Sequence, residues 1–437
     1  METLIDPMNL TDQHKTLLSY LFKQDENLSI FEAGECYPVT LPRSKGATQP
    51  ETVKIILTNT IYKRPREKHP KEFRYDILDP GQIEGGQHSS IHRAPGTLKI
   101  QDHLFKKNTL QLNTEKKRRL SKVEIFFKTK TINVINPETN EIEEKYITEA
   151  ISEAFIHKVY SRVYNEMQLA NKAGSGHMKQ PAILIDYQNN LIRTYTTMRE
   201  RKGECMFDVL IKSREPKTYT TLQRLDICLS SLLALQKMHA LGVIHRDVKA
   251  ENMFYDAKKN KTKFIDFGYA KSKGMPDKTG RGTQNYIAPE LFDGEQSDEK
   301  SDLYALGIMI SLLWGNKEQD KDDQGRILNH DRDVYYDRDF ASLFTGIKTD
   351  FTHLEKTTFV AWLNKITEKD HGERASVREA ITDLSDFIAL YKKNHPSIEK
   401  KSEASQKFNF FNKKRTPVND AKTAAANAPR LSAGGSH

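Results

Sequence analysis

His245-Arg246-Asp247-Val248-Lys249-Ala250-Glu251-Asn252 is followed, fourteen residues after Asn252, by Asp266-Phe267-Gly268. Each stretch ends a short apolar run of strand-like character, Gly242-Val243-Ile244 before the first and Lys263-Phe264-Ile265 before the second. Two carboxylates, one lysine and one amide are thereby set on two neighbouring turns. Asp247 can orient a hydroxyl, Lys249 can neutralise developing negative charge, and Asn252 and Asp266 offer the oxygen ligands that a hard divalent cation prefers.

The rest of the chain gives these turns a setting. At 437 residues it has length for two or three units of domain size. A hydrophobic content of 37% and a charged content of 29% suit a folded protein with a polar periphery. The longest apolar run, Leu306 to Trp314, is too short to span a bilayer. Met1-Glu2-Thr3-Leu4-Ile5-Asp6 has neither the basic start nor the apolar core of a secretory signal. Cys36, Cys205 and Cys228 are scattered and form no disulfide framework, so a reducing, cytoplasmic setting is expected. The net charge of +9 reads as a solvated surface plus a site that takes anions. No zinc-ligand spacing or RNA-binding aromatic motif accompanies it, and no nucleic-acid partner is expected.

Along the chain, residues 1–72 are mixed, with an amphipathic stretch (Leu17 to Phe22), a strand-like run (Val53 to Leu57) and a basic linker from Lys63 to Lys68. Strands are predicted over Phe73–Leu78, Ser89–Ile100 and Leu120–Phe127, with Gln101–Arg118 as an inserted polar loop. A helix is predicted over Ile147–Lys172, after a second insertion at Asn136–Asn140. Strands return at Ala182–Ile185 and Leu191–Met198. Leu225, Leu229, Leu232, Leu233, Leu235 and Met238 then recur at helical spacing just before the histidine turn. Beyond His395 the hydrophobic pattern is lost, and residues 395–437 read as a basic, disordered tail.

The order and spacing of the two turns resemble the catalytic and metal-binding loops of eukaryotic-type Ser/Thr protein kinases. Gly282-Thr283-Gln284-Asn285-Tyr286-Ile287-Ala288-Pro289-Glu290 is similar to the substrate-docking end of their activation segment. The resemblance covers residues 73 to 394. It implies an α+β, two-lobed protein-kinase-like fold, with a small β-rich N-lobe carrying a long helix and a larger α-helical C-lobe. The implied layout is an extension of unknown role (1–72), an N-lobe with insertions (73–200), a C-lobe (201–394) and the tail (395–437).

In this resemblance Asp247 is the acceptor-side carboxylate, Lys249 its charge-neutralising neighbour, and Asn252 and Asp266 the ligands of Mg²⁺ (or Mn²⁺) beside ATP. Asp302 matches a buried carboxylate that braces the catalytic loop, and Arg374 matches the arginine that pairs with Glu290. Arg246 leaves two readings open: it could pair with a phosphate on Ser272 or Thr279, or simply pair with a carboxylate or sit solvated. The glycine-rich nucleotide loop is laid on Ile83 to Ile91, where only Gly86 falls on a glycine position. The nucleotide lysine is Lys122, favoured over Lys128 on pocket volume, and its partner is Glu166, with Glu149 and Glu153 as alternatives. Met198 resembles a gatekeeper, and the backbones of Arg199 and Arg201 would meet the adenine edge. Cys205 stands where many kinases place a ribose-contacting acid, with Asp208 nearby.

Narrower stretches, Gly96-Thr97-Leu98-Lys99, the insertion before Lys122 and Asn165-Glu166-Met167-Gln168-Leu169-Ala170, are similar to effector kinases that intracellular bacteria inject into host cells. That likeness implies work in host cytoplasm on a host protein. Phe408-Asn409-Phe410-Phe411, between Lys407 and Lys413-Lys414-Arg415, could dock on the small lobe or meet an anionic membrane. The sequence names no oligomeric state. Two other readings stand beside an active protein kinase. One is a pseudokinase scaffold, suggested by the eroded glycine loop. The other is a small-molecule kinase, disfavoured by the Gly282–Glu290 segment.

Overall fold

The computed structural model describes residues 2–24, 30–42, 49–63, 72–85, 89–101, 109–114, 119–135, 142–175, 177–215, 218–277, 282–316 and 340–396. The chain divides into two compact units, Met1–Leu384 and Ser385–His437. Every site residue discussed below belongs to the first. Of the second, the described residues complete the helix Val377–Asn394 and run to position 396. The Phe408–Arg415 stretch and Gly86 lie outside the described residues.

Alternating apolar residues in the first hundred positions build a core of their own. The helix Asp12–Gln24 buries Leu17, Leu18, Leu21 and Phe22. These pack with Phe31, Val39, Ile55, Tyr75, Leu98 and Leu110. One antiparallel sheet runs Thr109–Thr114, Gly96–Gln101, Glu72–Leu78, Thr60–Lys63, Ile30–Phe31, in that spatial order. The strand expected over Ser89–Ile100 is therefore two strands, broken at Ala94-Pro95, where proline has no N–H to give a ladder. Part of the expected polar loop is also strand: Leu110 buries itself as Thr109–Thr114 pairs with Gly96–Gln101. The strands from Phe73 and Gly96 thus share a sheet with residues before position 72, and the boundary expected there falls inside that sheet.

A second antiparallel sheet has the order Ala182–Asp186, Leu191–Arg199, Arg119–Phe127, Ser89–Arg93, Gln82–Gly85. Its Arg119–Phe127 strand carries Lys122. The helix beside it spans Glu153–Lys172, not Ile147–Lys172. Ile142–Thr148 instead pairs with Thr129–Ile135 as a hairpin, and Ser152 caps the helix by accepting from Phe155 N.

The two sheets meet through buried polar side chains. Asp76 accepts hydrogen bonds from Thr97 Oγ1 (2.8 Å) and Thr197 Oγ1 (2.5 Å), and the Tyr62 hydroxyl lies 2.6 Å from Thr197 Oγ1 and 3.1 Å from Ser121 Oγ. Ser121 and Thr197 directly precede Lys122 and Met198, so the extension braces the strands that carry those residues.

Beyond residue 205 the described chain is mainly helical. The helix Thr221–Ala240 starts from a capping box of Thr220 and Gln223 and buries Leu225, Leu232, Leu235 and Met238. Leu233, expected in the same stripe, is exposed. The helix Glu299–Leu313 is buried along most of its length, and Asp298 caps it.

Candidate active site

Lys122 is the hub of one half of the site. Its ammonium lies 2.9 Å from Glu166 Oε1, 3.2 Å from Glu124 Oε1 and 3.3 Å from Asp266 Oδ1. Alternation along the strand puts Glu124 on the same face as Lys122. Glu166 is reached because the Glu153–Lys172 helix packs on that sheet through Val159 and Val163 with Ile192. Burial disfavours charge on Lys122, but Glu166, Asp266 and Glu124 outweigh it and hold the ammonium well above its ordinary pKa. Burial pushes the Glu166 carboxyl up, to about 7, against the pull of Lys122 and with help from Glu124 and Asp266. Three carboxylates thus face one cation, a local excess of negative charge that a divalent cation would relieve.

The rival residues pair with each other. Lys128 Nζ is 3.1 Å from Glu149 Oε2 at the surface, and Glu153 is exposed in the first turn of its helix.

The other half is the turn after the strand Val243–Ile244. Asp302, from the Glu299–Leu313 helix, accepts the backbone N–H groups of His245 and Arg246, both at 2.8 Å, and its Oδ2 lies 2.9 Å from His239 Nε2. Burial opposes charge on Asp302, but the His239 contact and the two histidines outweigh it and keep the carboxyl below its ordinary range. This clamp lets Arg246 (φ 68°) hold a left-handed backbone that is otherwise costly.

The clamped turn presents Asp247 to four donors. Thr283 N (3.0 Å) and Thr283 Oγ1 (2.8 Å) reach Asp247 Oδ1, Asn252 Nδ2 reaches Oδ2 (2.8 Å), and Lys249 Nζ lies 3.2 Å from Oδ2. Lys249 also donates to Thr283 Oγ1 at 2.7 Å. Asn252 spends its amide N–H groups on Asp247, which leaves its Oδ1 without a hydrogen-bond partner among the described residues. Asp266 Oδ1 accepts from Lys122 and Gly268 N, while Oδ2 has no such partner among them. Burial opposes the Asp266 charge, yet Lys122 and His245 hold its carboxyl below the usual range. Two such oxygens beside an excess of carboxylates fit a hard divalent cation, which takes few protein ligands.

Between the halves runs the segment after Leu191–Arg199. Met198 is half-buried, Arg199 ends the strand and Arg201 is half-buried. Gly203 has φ 113°, and a Cβ there would fall 2.5 Å from the Tyr255 carbonyl oxygen, so only glycine fits. The Cys205 thiol faces the carbonyls of Ala250 and Glu251 at 3.8 Å, and Asp208 is exposed one turn on. Farther off, Arg374 grips Glu290 with two 2.8 Å bonds.

The structure therefore brings Lys122, Glu166 and Asp266 together, and Asp247, Lys249, Asn252 and Thr283 together. Glu124 was not anticipated; its place two residues after Lys122 on a strand was the available signal. Arg246, for which a phosphate and a carboxylate partner were both open, pairs with the Asp277 carboxylate (2.9 Å). Thr279 lies outside the described residues.

The family model of the protein kinase domain matches residues 128–384, more than half of the chain, and the chain belongs to that family. Membership implies the two-lobed kinase fold. The match begins six residues after Lys122. A probable LRR receptor-like serine/threonine-protein kinase of Arabidopsis thaliana is 26% identical over 243 residues, covering 53% of this chain and 26% of that protein. A probable serine/threonine-protein kinase of Streptomyces coelicolor is 31% identical over 148 residues, 31% of this chain and 21% of its own length. MAP kinase-activated protein kinase 2 of Oryctolagus cuniculus is 34% identical over 107 residues, 24% of this chain and 29% of its own. The chain thus spans less than a third of each of these relatives.

Proposed function

We propose that this chain transfers the γ-phosphoryl group of ATP to serine or threonine hydroxyls of protein substrates. The observation that carries the reading is the convergence of Thr283, Lys249 and Asn252 on Asp247, beside the Lys122–Glu166–Asp266 cluster. A scaffold without chemistry has no physical need for either set of contacts. The names of the similar kinases point the same way.

In this reading Asp247 orients the acceptor hydroxyl and takes its proton as the oxygen bonds to the γ-phosphorus and the bond from that phosphorus to the departing ADP breaks. All of its lone-pair directions are occupied here, so a substrate hydroxyl must displace a donor. Lys249 is the one free to swing, because its ammonium can follow the charge onto the transferred phosphoryl group. Lys122, held by Glu166, grips the nucleotide phosphates. Met198 and the Arg199 and Arg201 backbones line the base. Asn252 Oδ1 and Asp266 Oδ2 would hold Mg²⁺ (or Mn²⁺), which supplies charge neutralisation at the phosphates when bound.

The test is transfer of label from Mg-ATP to a mixed protein substrate, followed by identification of the phosphorylated amino acid. Phosphoserine or phosphothreonine is expected. Phosphotyrosine alone would overturn the acceptor assignment, and label found only on small molecules would overturn the protein substrate. The narrower reading, a bacterial effector acting on host proteins in host cytoplasm, is supported by the likeness of the Gly96–Lys99 and Asn165–Ala170 stretches and of the insertion before Lys122 alone. Secretion assays in infected cells would sink it if the protein stayed inside the bacterium. Contact of the Phe408–Arg415 tail with anionic membrane is tested by co-sedimentation with phosphatidylserine vesicles; equal pelleting of intact and tail-truncated chains would remove it.

A further inference from the structure

The connection from the Glu153–Lys172 helix to the strand Ala182–Asp186 is pinned at two points. Asn171 holds Met178 by both ends of its amide: Nδ2 donates to the Met178 carbonyl (2.9 Å) and Oδ1 accepts from Met178 N (2.8 Å). Lys179 N then donates to the Thr197 carbonyl at 2.8 Å. His177 and Lys179 are thereby set beside the paired strands Arg119–Phe127 and Leu191–Arg199, whose register puts Arg119 directly opposite Arg199. Like charges so placed repel. Strand alternation turns both arginines to the sheet face away from Lys122.

Arg119, His177, Lys179 and Arg199 line one cavity of about 310 Å³, and no carboxylate is among the described residues that form its walls. Asp76 Oδ1 stands 3.9 Å from Arg119 Nη1, but the Asp76 oxygens already take the Thr97 and Thr197 hydroxyls. Positive charge continues past the cavity through Arg201 and Lys263. Burial, and then Arg199, Arg201, Lys263 and Lys179, hold His177 below its ordinary pKa. Burial, and then Arg201, Lys259, Lys237 and Arg199, do the same to Lys263.

We propose that this cavity is an anion site, separate from the nucleotide site, for a small ligand that carries clustered phosphate groups. Cations held together in a preformed pocket repel one another, and a polyanion relieves that repulsion as it binds. Two guanidiniums offer forked donors that match phosphate oxygens, and a lysine adds a mobile point charge. One phosphate would leave most of these cations unmatched, so several are needed. The volume is at the small end for ligand pockets, which suits a compact headgroup. Binding there requires no phosphotransfer, so Asp247→Ala should bind as wild type does.

The experiment titrates the full chain with soluble inositol trisphosphate by calorimetry and follows its sedimentation with phosphatidylcholine vesicles, with and without phosphatidylinositol bisphosphate. Saturable binding of the soluble probe is expected, and it should persist in Lys122→Met, which removes the nucleotide lysine. Lys179→Ala and Arg199→Ala should each weaken it by about 10-fold or more, the loss of a charge-assisted contact. Lys145→Ala removes an exposed lysine on the Thr129–Thr148 hairpin and should stay within about two-fold. Binding of the soluble probe without vesicle binding assigns a free phosphate ester. Vesicle binding that the soluble probe competes away assigns a lipid headgroup, and either result supports the site. No saturable binding of the soluble probe, loss of binding in a folded Lys122→Met, or an equal loss in Lys145→Ala would each overturn it. So would unchanged binding in Lys179→Ala and Arg199→Ala. Melting curves establish folding, and Arg199→Gln replaces the alanine variant if that one does not fold.

Discussion

Lys122 and Glu166 stand 44 residues apart in sequence and 2.9 Å apart in space, joining the sheet to the Glu153–Lys172 helix. Both side chains are nearly inaccessible to solvent, and the lysine is shared with Glu124 and Asp266. Removing one member of a buried pair leaves an uncompensated charge that costs about 3–5 kcal/mol. Lys122→Met should accordingly lower kcat/KM for ATP by about 100-fold or more. Lys128→Met breaks only a surface pair, worth about 0–1 kcal/mol, and should stay within a few-fold of wild type. Steady-state kinetics of the two variants decide between the lysines, and equal losses would refute the assignment.

The raised Glu166 carboxyl, about 7, makes a prediction in pH. If the ionised form holds Lys122 in place, ATP affinity should climb between about pH 6 and about pH 8 as Glu166 loses its proton. Stability responds with the opposite sign. The folded chain holds the Glu166 proton more tightly than the unfolded chain, so this group's contribution falls as pH rises from the ordinary carboxylate range to about 7. Asp302 and Asp277 are held low, so their contributions are present above the ordinary carboxylate range and lost as pH drops below it. Urea midpoints across pH should show both limbs, and Glu166→Gln should remove only the neutral one.

Gly203 ties the segment after Arg199 to Tyr255. A methyl group there meets the Tyr255 backbone, which has no flexible end to move aside, and φ 113° is unfavourable for any side chain. Gly203→Ala should lower stability by more than about 1 kcal/mol and weaken ATP binding by displacing Arg199 and Arg201. Calorimetric melting and nucleotide titration check it; an unchanged Kd would show that this segment does not meet the base.

The extension is expected to be inseparable from the site. Asp76→Ala removes the acceptor of two buried hydroxyls: Thr97 loses it at about 1–3 kcal/mol, while Thr197 keeps its contact with the Tyr62 hydroxyl. Because Thr197 adjoins Met198, the loss should appear in ATP affinity as well as in the urea midpoint. A fall in stability with ATP binding untouched would make the extension a neighbour rather than a brace.

The parts of the site legible in the sequence are those whose chemistry is short-range. Asp247, Lys249 and Asn252 lie within six positions, and Asp266 follows the hairpin of Met253–Asp256 and Lys261–Phe264 that returns the chain beside Asn252. Asp302 and the Glu290–Arg374 pair were read through family likeness and meet their expected partners, whereas the bonds of Thr283 to Asp247 were not anticipated. Lys122 and Glu166 were harder, because only the packing of a helix on a sheet brings them into reach, and Lys128 as lysine and Glu149 or Glu153 as partner stayed open as less favoured alternatives. A carboxylate partner for Arg246 was one reading of the sequence, but Asp277 itself was not legible, because only folding returns the segment after Lys271–Ser272 to the Asp247 turn. The extension's sheet was hidden by its assembly from five strands, three of which (Glu72–Leu78, Gly96–Gln101 and Thr109–Thr114) lie at or beyond the expected boundary at residue 72. The early start assigned to the Glu166 helix failed because Ile142–Thr148 found a strand partner in Thr129–Ile135, which helical periodicity cannot report.

The central claim is that Asp247 serves the chemical step of a phosphoryl transfer and not the binding of nucleotide. Wild type and Asp247→Ala should be compared side by side for ATP affinity by titration and for phosphate incorporation into protein by initial rate. Similar affinities are expected, with incorporation reduced about 100-fold or more in the variant. Equal incorporation by both proteins, or tight ATP binding by wild type with no transfer to any protein, would contradict it.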